Sequence, residues 1–251
     1  MKNLVLTGLF AVCAAAQTPS EPPALIQLIR QPGLEAGLPR PYSEIGAHLT
    51  VLAMTAMTGV PETWLLETHD SFASIEGLDQ ALAPAIRNQL DAMDNQSRFE
   101  KEVVAPPRTM IALYRPNWSY RASEAVKLLP KARYFYVTIY TLRSGTEAAF
   151  AEAVRRRRAN FESVNLDRPE LAYPVLSGAP SGTILFLAPL TSLKMMDEAL
   201  TKSPELAGKV GTEGELSHEH FLLRVEPRLS YVSDEFAETD PLFWRGIAKQ
   251  Q

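Results

Sequence analysis

The segment Ser74-Ile-Glu-Gly-Leu-Asp-Gln-Ala-Leu82 returns 118 residues later as Ser192-Leu-Lys-Met-Met-Asp-Glu-Ala-Leu200, with Ser, Asp, Ala and Leu at matching places. Ahead of it, Thr58-Gly59-Val60-Pro61 lies over Ser177-Gly178-Ala179-Pro180 at an offset of 119. Behind it, Pro107-Arg108 lies over Pro227-Arg228 at an offset of 120. Three anchors in chain order at nearly one offset read as a unit written twice.

The second copy is the clearer. Tyr134 to Arg143 (YFYVTIYTLR) is β-branched and aromatic throughout, which predicts a strand. Ser144-Gly145 turns, and Thr146 opens a helix carrying Phe150, Val154, Phe161 and Val164 at helical spacing. Two strands follow, 171–177 and 183–188, joined by Gly-Ala-Pro-Ser as a hairpin. Ser192 caps a helix over 193–200, and a polar helical stretch leads to a last strand near 228–233. The first copy runs the same way: a strand over 24–31, a hairpin of 49–57 with 63–70, a helix over 75–82 extended by 84–101, and a strand over 109–115. Pro39 and Pro41 leave little room there for a long first helix. Each copy is β-α-β-β-α-β, the split βαβ unit.

Around the two copies lie segments of other kinds. Met1-Lys2-Asn3, the apolar run Leu4–Val12 and Ala14-Ala15-Ala16 have the three parts of a secretory signal peptide. The run is too short to cross a bilayer, which takes about 20 apolar residues. Residues 17–23 form a linker. Export to the periplasm or the extracellular space is the expectation. Val12 before Cys13 makes a poor lipidation site, so anchoring at Cys13 is not expected. Cleavage after residue 16 removes one lysine and the only cysteine, so the net charge moves from −4 to −5 and no thiol remains. The predicted organisation is thus 24–115, a linker at 116–130, 131–233, and a tail at 234–251.

Composition removes several classes of function. With 46% hydrophobic and 22% charged residues, the chain is built to fold around a core. An acidic balance lacks the excess of Lys and Arg that nucleic acid binding needs. No segment is long and apolar enough to predict a membrane span. The 13 glycines fall in turns and form no phosphate cradle, and no nucleophile or dinucleotide pattern stands in its proper context.

Two ferredoxin-like units in tandem, with a Gly-x-Pro hairpin turn before a Ser-capped helix, resemble the dimeric α/β-barrel superfamily, and in particular its exported bacterial members of uncharacterised function. The resemblance implies an α+β fold in which the two copies pack as a pseudo-dimer, in a monomer or a homodimer, and a barrel able to hold a small ligand. It also implies alternatives: a cofactor-independent oxygenase- or isomerase-like enzyme, or a non-catalytic assembly module. No cofactor is expected.

Candidate site residues follow from strand parity. With Thr58–Pro61 as the loop, paired positions of the first hairpin sum to 119. That register puts His48, Glu67 and His69 on one face. Two histidines and a carboxylate are the residue types of a facial metal triad, or of an acid–base pair with His69 as base. Pocket lining and solvated strand ends are the plainer alternatives. In the second copy Phe135, Val137 and Ile139 suit the helix layer, which turns Tyr134, Tyr136 and Tyr140 toward the barrel interior. His48, Glu67, His69, Tyr136 and Tyr140 are the expected ligand-lining set. Arg155–Arg158 wraps a helix as a solvated run, and His218-x-His220, read as helical, points its rings apart at the surface.

Overall fold

The computed structural model describes residues 21–33, 50–95, 107–203 and 214–246. Residues 1–20, which carry the expected signal peptide and Cys13, and residues 34–49, which include His48, lie outside the described residues.

Eight strands form one closed antiparallel barrel. They are β1 (Leu25–Pro32), β2 (Val51–Ala56), β3 (Glu62–His69), β4 (Arg108–Leu113), β5 (Tyr134–Leu142), β6 (Leu171–Ser177), β7 (Thr183–Leu190) and β8 (Glu215–Val225). Around the barrel the order is β1-β3-β2-β8-β5-β7-β6-β4. The first four strands are thus arranged β4-β1-β3-β2 and the last four β8-β5-β7-β6, the same relative order. Two seams, β2–β8 and β4–β6, complete the ring. Among the described residues six α-helices accompany it: α1 (Phe72–Asn95), α2 (Ala122–Leu128), α3 (Glu147–Ser163), α4 (Lys194–Lys202), α5 (Asp234–Glu238) and α6 (Pro241–Trp244). Helix α1 runs through Pro84. No helix among the described residues is long and apolar enough to cross a membrane.

In a closed barrel alternate residues of every strand point inward. One apolar cluster draws on all eight strands and is therefore the interior: Ile26 and Leu28, Leu52 and Met54, Trp64 and Leu66, Met110 and Ala112, Phe135 and Val137, Leu171 and Tyr173, Leu185 and Leu187, Phe221 and Leu223. At one end the rings of Trp64 and Phe221 meet at 4.9 Å. The Arg30 guanidinium lies over both, while its Nε and Nη2 donate to Glu62 at 3.0 and 2.9 Å. Toward the other end, Thr50, Leu52, Leu66 and Thr68 border a cavity of about 60 Å³. Val126 and Leu129 of the α2 segment and Phe236 of α5 close it over. That is room for a few waters, so this part of the barrel is filled by its own side chains.

The Gly-x-Pro turns serve the seams. Gly178 has φ +89° and sits so close to β4 that a Cβ would lie 1.9 Å from the Thr109 carbonyl oxygen. Only glycine fits where the β6–β7 turn passes β4.

Three expectations are corrected. The β2–β3 register is Val51↔Glu67, Leu52↔Leu66 and Met54↔Trp64, so paired positions sum to 118. The loop is one residue longer at its start, because Met57 bonds to the Leu222 carbonyl of β8 and leaves the hairpin ladder. The last strand is Glu215–Val225 and not 228–233. The face of Phe135, Val137 and Ile139 is the interior one, and the tyrosines of β5 turn outward. The physical reason is that a closed interior is desolvated all round and takes the wholly apolar face. The outer face under a helix can leave phenol tips at its margins.

Candidate functional site

The 118 register places two of the first-half candidates, Glu67 and His69. Glu67 and His69 share the outer face of β3 with Leu65, beside Val51 and Ala53 of β2. Both are buried, and His69 Nε2 stands 3.6 Å from Glu67 Oε2. Ser74 at the start of α1 approaches His69 Nδ1 at 3.5 Å. Even-numbered residues of β2 belong to the other face, which removes the premise that placed His48 beside His69. Among the described residues, no group of three or more His, Cys, Asp or Glu side chains is arranged to hold a metal ion.

The second half of the chain brings its groups together. On the outer face of β5 and β8 the register pairs Thr138 with His220 and Tyr140 with His218. Because β8 is a strand, the i, i+2 histidines lie on one side, with ring centroids 5.0 Å apart. The His220 ring stacks on Tyr136 at 5.5 Å and 16°. His218 stands 6.0 Å from Tyr140. Helix α3 covers one side of this face with Phe150, Val154, Arg157 and Phe161, a single stripe at spacings of four, three and four residues. Tyr140 packs edge-on against Phe150 and Phe186.

Arg157 is thus the arginine of its run directed at this face, while Arg158 is half-buried beside it and donates to the Asn117 carbonyl. Arg155 and Arg156 are exposed, as expected of the run. The Arg157 guanidinium lies 4.8 Å over Phe161 and 5.2 Å over Phe186, and its Nη2 donates to both Glu170 oxygens at 2.9 and 2.6 Å. Glu170 is fixed by its own backbone, which exchanges hydrogen bonds with Tyr120 in an isolated bridge. Arg168, two residues earlier and buried, places its guanidinium 5.2 Å over the Tyr136 ring.

These surroundings set the protonation states. Burial pushes the Tyr140 phenol up to about 12 and raises Tyr136 as well, so both stay protonated near neutral pH. Burial lowers Arg157, but Glu170 and neighbouring tyrosines more than offset that and hold it above the ordinary arginine range. Partial desolvation of His220, then the nearness of His218, Arg157 and Arg168, holds its imidazole below the usual histidine range. Thr138 Oγ1 is 3.0 Å from His220 Nδ1. His218 Nδ1 and Glu215 Oε1 are in close contact. Since a carboxylate only accepts, the proton in that contact is on Nδ1.

Of the expected lining set, Tyr136 and Tyr140 belong to this cluster, Glu67 and His69 lie on the other half of the barrel, and His48 is outside the described residues. His218, His220, Arg157 and Arg168 were missed. The signals were present: Arg157 continues the Phe150, Val154, Phe161 stripe, and Phe221, Leu223 and Val225 alternate with the histidine face.

No family model matches the chain, and no curated protein does. Solved structures do. An anthrone oxidase-like protein is 10% identical with a TM-score of 0.49, over 82% of this chain and 93% of its own. A chlorite dismutase from Candidatus Nitrospira defluvii is 10% identical with a TM-score of 0.46, over 86% and 95%. A candidate monooxygenase from Lactobacillus acidophilus is 9% identical with a TM-score of 0.46, over 80% and 94%.

Proposed function

We propose that this chain is an exported, tandem ferredoxin-like protein of the dimeric α/β-barrel type that binds a small, partly apolar molecule. The repeated strand order and the two closing seams support the pseudo-dimer reading. The binding surface is the outer face of β5 and β8. One observation carries this: Tyr136, His218 and His220 form a continuous ring surface that is only partly buried, whereas the described interior is packed. Flat rings with polar edges suit a small aromatic or conjugated molecule.

The test uses the four histidines of the chain as reporters. With ¹³C-labelled histidine, each imidazole gives a resolvable signal, and a library of small aromatic fragments is added to the purified protein. Binders are expected to move His218 and His220 and to leave His69 in place. Fragments that move only His69 or His48, or no binders at all, would remove the proposal.

A second reading has its own observation. His220 is held neutral near pH 7, hydrogen-bonded through Nδ1 and stacked on a protonated tyrosine. That is the form a general base requires. An oxygenase- or isomerase-like activity would thus use His220, not His69, to take a proton. With the substrate in hand, His220→Gln would lower kcat at least 100-fold and His69→Gln would not.

A further inference from the structure

We infer that Arg168 is an anion-binding residue of this surface, and that the ligand is a planar organic acid with its carboxylate, or a comparable flat oxyanion, on the Arg168 guanidinium. This rests on the small-molecule reading of the β5–β8 face.

Arg168 lies between α3 and β6 and is 2% exposed. Its Nη1 meets the Met196 sulfur at 3.5 Å, a weak acceptor. Its Nε has no hydrogen-bond partner among the described residues. Glu170 is close in the chain, but both of its oxygens accept from Arg157. Two buried guanidiniums therefore face one carboxylate, and one positive charge is left over. Burying a charge is strongly unfavourable unless it is paired and hydrogen-bonded. A guanidinium presents its donors in a fixed fork that matches a carboxylate edge. A single negative charge is what balances the site, since a dianion would add repulsion from Glu170.

The rest of the ligand is defined by what adjoins the charge. The guanidinium lies over Tyr136, and His220 stacks on that ring nearly in parallel. A flat body attached to the carboxylate can extend along the edge of this stack toward the exposed His220 ring. A flexible aliphatic acid would leave these surfaces poorly covered.

Benzoate and its neutral isostere benzamide test this with the purified protein, by ligand-observed NMR together with the His218 and His220 imidazole signals. Benzoate is expected to bind saturably, at least tenfold more tightly than benzamide, and to shift His220. Arg168→Met is expected to abolish that preference, the two probes then binding within about twofold of each other. Arg168→Lys, which keeps the charge and loses the fork, is expected to retain a preference of a few fold, and serves if Arg168→Met does not fold. Equal binding of the two probes, or a full tenfold preference surviving in either variant, would overturn the anion role and leave the small-molecule reading standing. Binding of neither probe, with both imidazole signals unmoved, would overturn both.

Discussion

Arg157 and Glu170, 13 residues apart in the chain, form a forked ion pair at 2.6 and 2.9 Å between helix α3 and the head of β6. Glu170 is buried and the Arg157 side chain is 15% exposed; the pair ties the helix to the sheet and sets the charge balance of the candidate site. What remains after this pairing is the spare positive charge of Arg168. The pair is thus a structural element whose loss is felt at the surface it borders.

Removing one partner should be costly. Glu170→Gln leaves the Arg157 guanidinium buried without its counter-charge, and a broken buried pair typically costs about 3–5 kcal/mol. The double variant Arg157→Met, Glu170→Leu should be milder than Glu170→Gln alone, because it removes the orphaned charge as well. Urea denaturation of wild type and the variants reads this directly. A Glu170→Gln cost below about 1 kcal/mol would show that the pair is solvent-relaxed.

The Gly178 turn makes a second prediction. Gly178→Ala forces a methyl against the Thr109 carbonyl at the β4–β6 seam. The cost should exceed the roughly 1–2 kcal/mol of left-handed strain alone. Gly145→Ala has a similar φ of +86° but nothing within 4 Å of the added carbon. It should show the strain without the clash. Thermal unfolding of the two variants separates these contributions, and equal losses would count against the close approach.

Strand parity on β5 is open to the same kind of test. Phe135 is fully buried in the barrel, so Phe135→Ala should cost about 3–5 kcal/mol. Tyr136→Phe alters only a phenol tip on the outer face and should stay within about 1 kcal/mol. The opposite ranking in denaturant unfolding would restore the tyrosines to the interior.

The pH dependence of His220 has a definite sign. Its folded value lies below the unfolded one of about 6.5, so the unfolded chain binds more protons between the two. Stability rises with pH across that window. It is lost again as the pH falls from about 6.5 through the folded value. An imidazole NMR titration should place His220 below 6.5, and His220→Gln should flatten that part of the stability profile. A His220 midpoint above 6.5 would reverse the sign.

Much of the fold was legible because its signals are local. The 171–177 strand matches to the residue, and β1, β4, β5 and β7 match within two residues at each end, since β-branched and apolar runs bounded by turns define them. What was misread depended on distant partners. Nothing near Thr58 shows that Met57 is drawn to Leu222, and that one bond shifts the hairpin register. Glu215–Val225 looked helical and polar because its first half carries Ser217 and Glu219 on one face and His218 and His220 on the other, residues uncommon in strands. The site inherited both errors. Tyr136 and Tyr140 were expected in the barrel interior from strand parity and residue type but stand on its outer face, and their neighbours there follow only once β8 is placed beside β5.

The seams bear on how the chain reaches this state. Within each half, every strand pairs with another less than 100 residues away, whereas the β2–β8 seam joins Thr55 to Glu226, 171 residues apart. Closing so long a loop gives up chain entropy before any contact compensates it, and such distant pairings slow folding. The expected order is therefore two half-sheets first and ring closure last. Until that closure, the β2 and β8 edges are both unpaired, and a second copy of the chain can supply the missing strand as readily as the chain itself. Refolding at high concentration should then yield exchanged dimers, and dilute refolding should yield monomers.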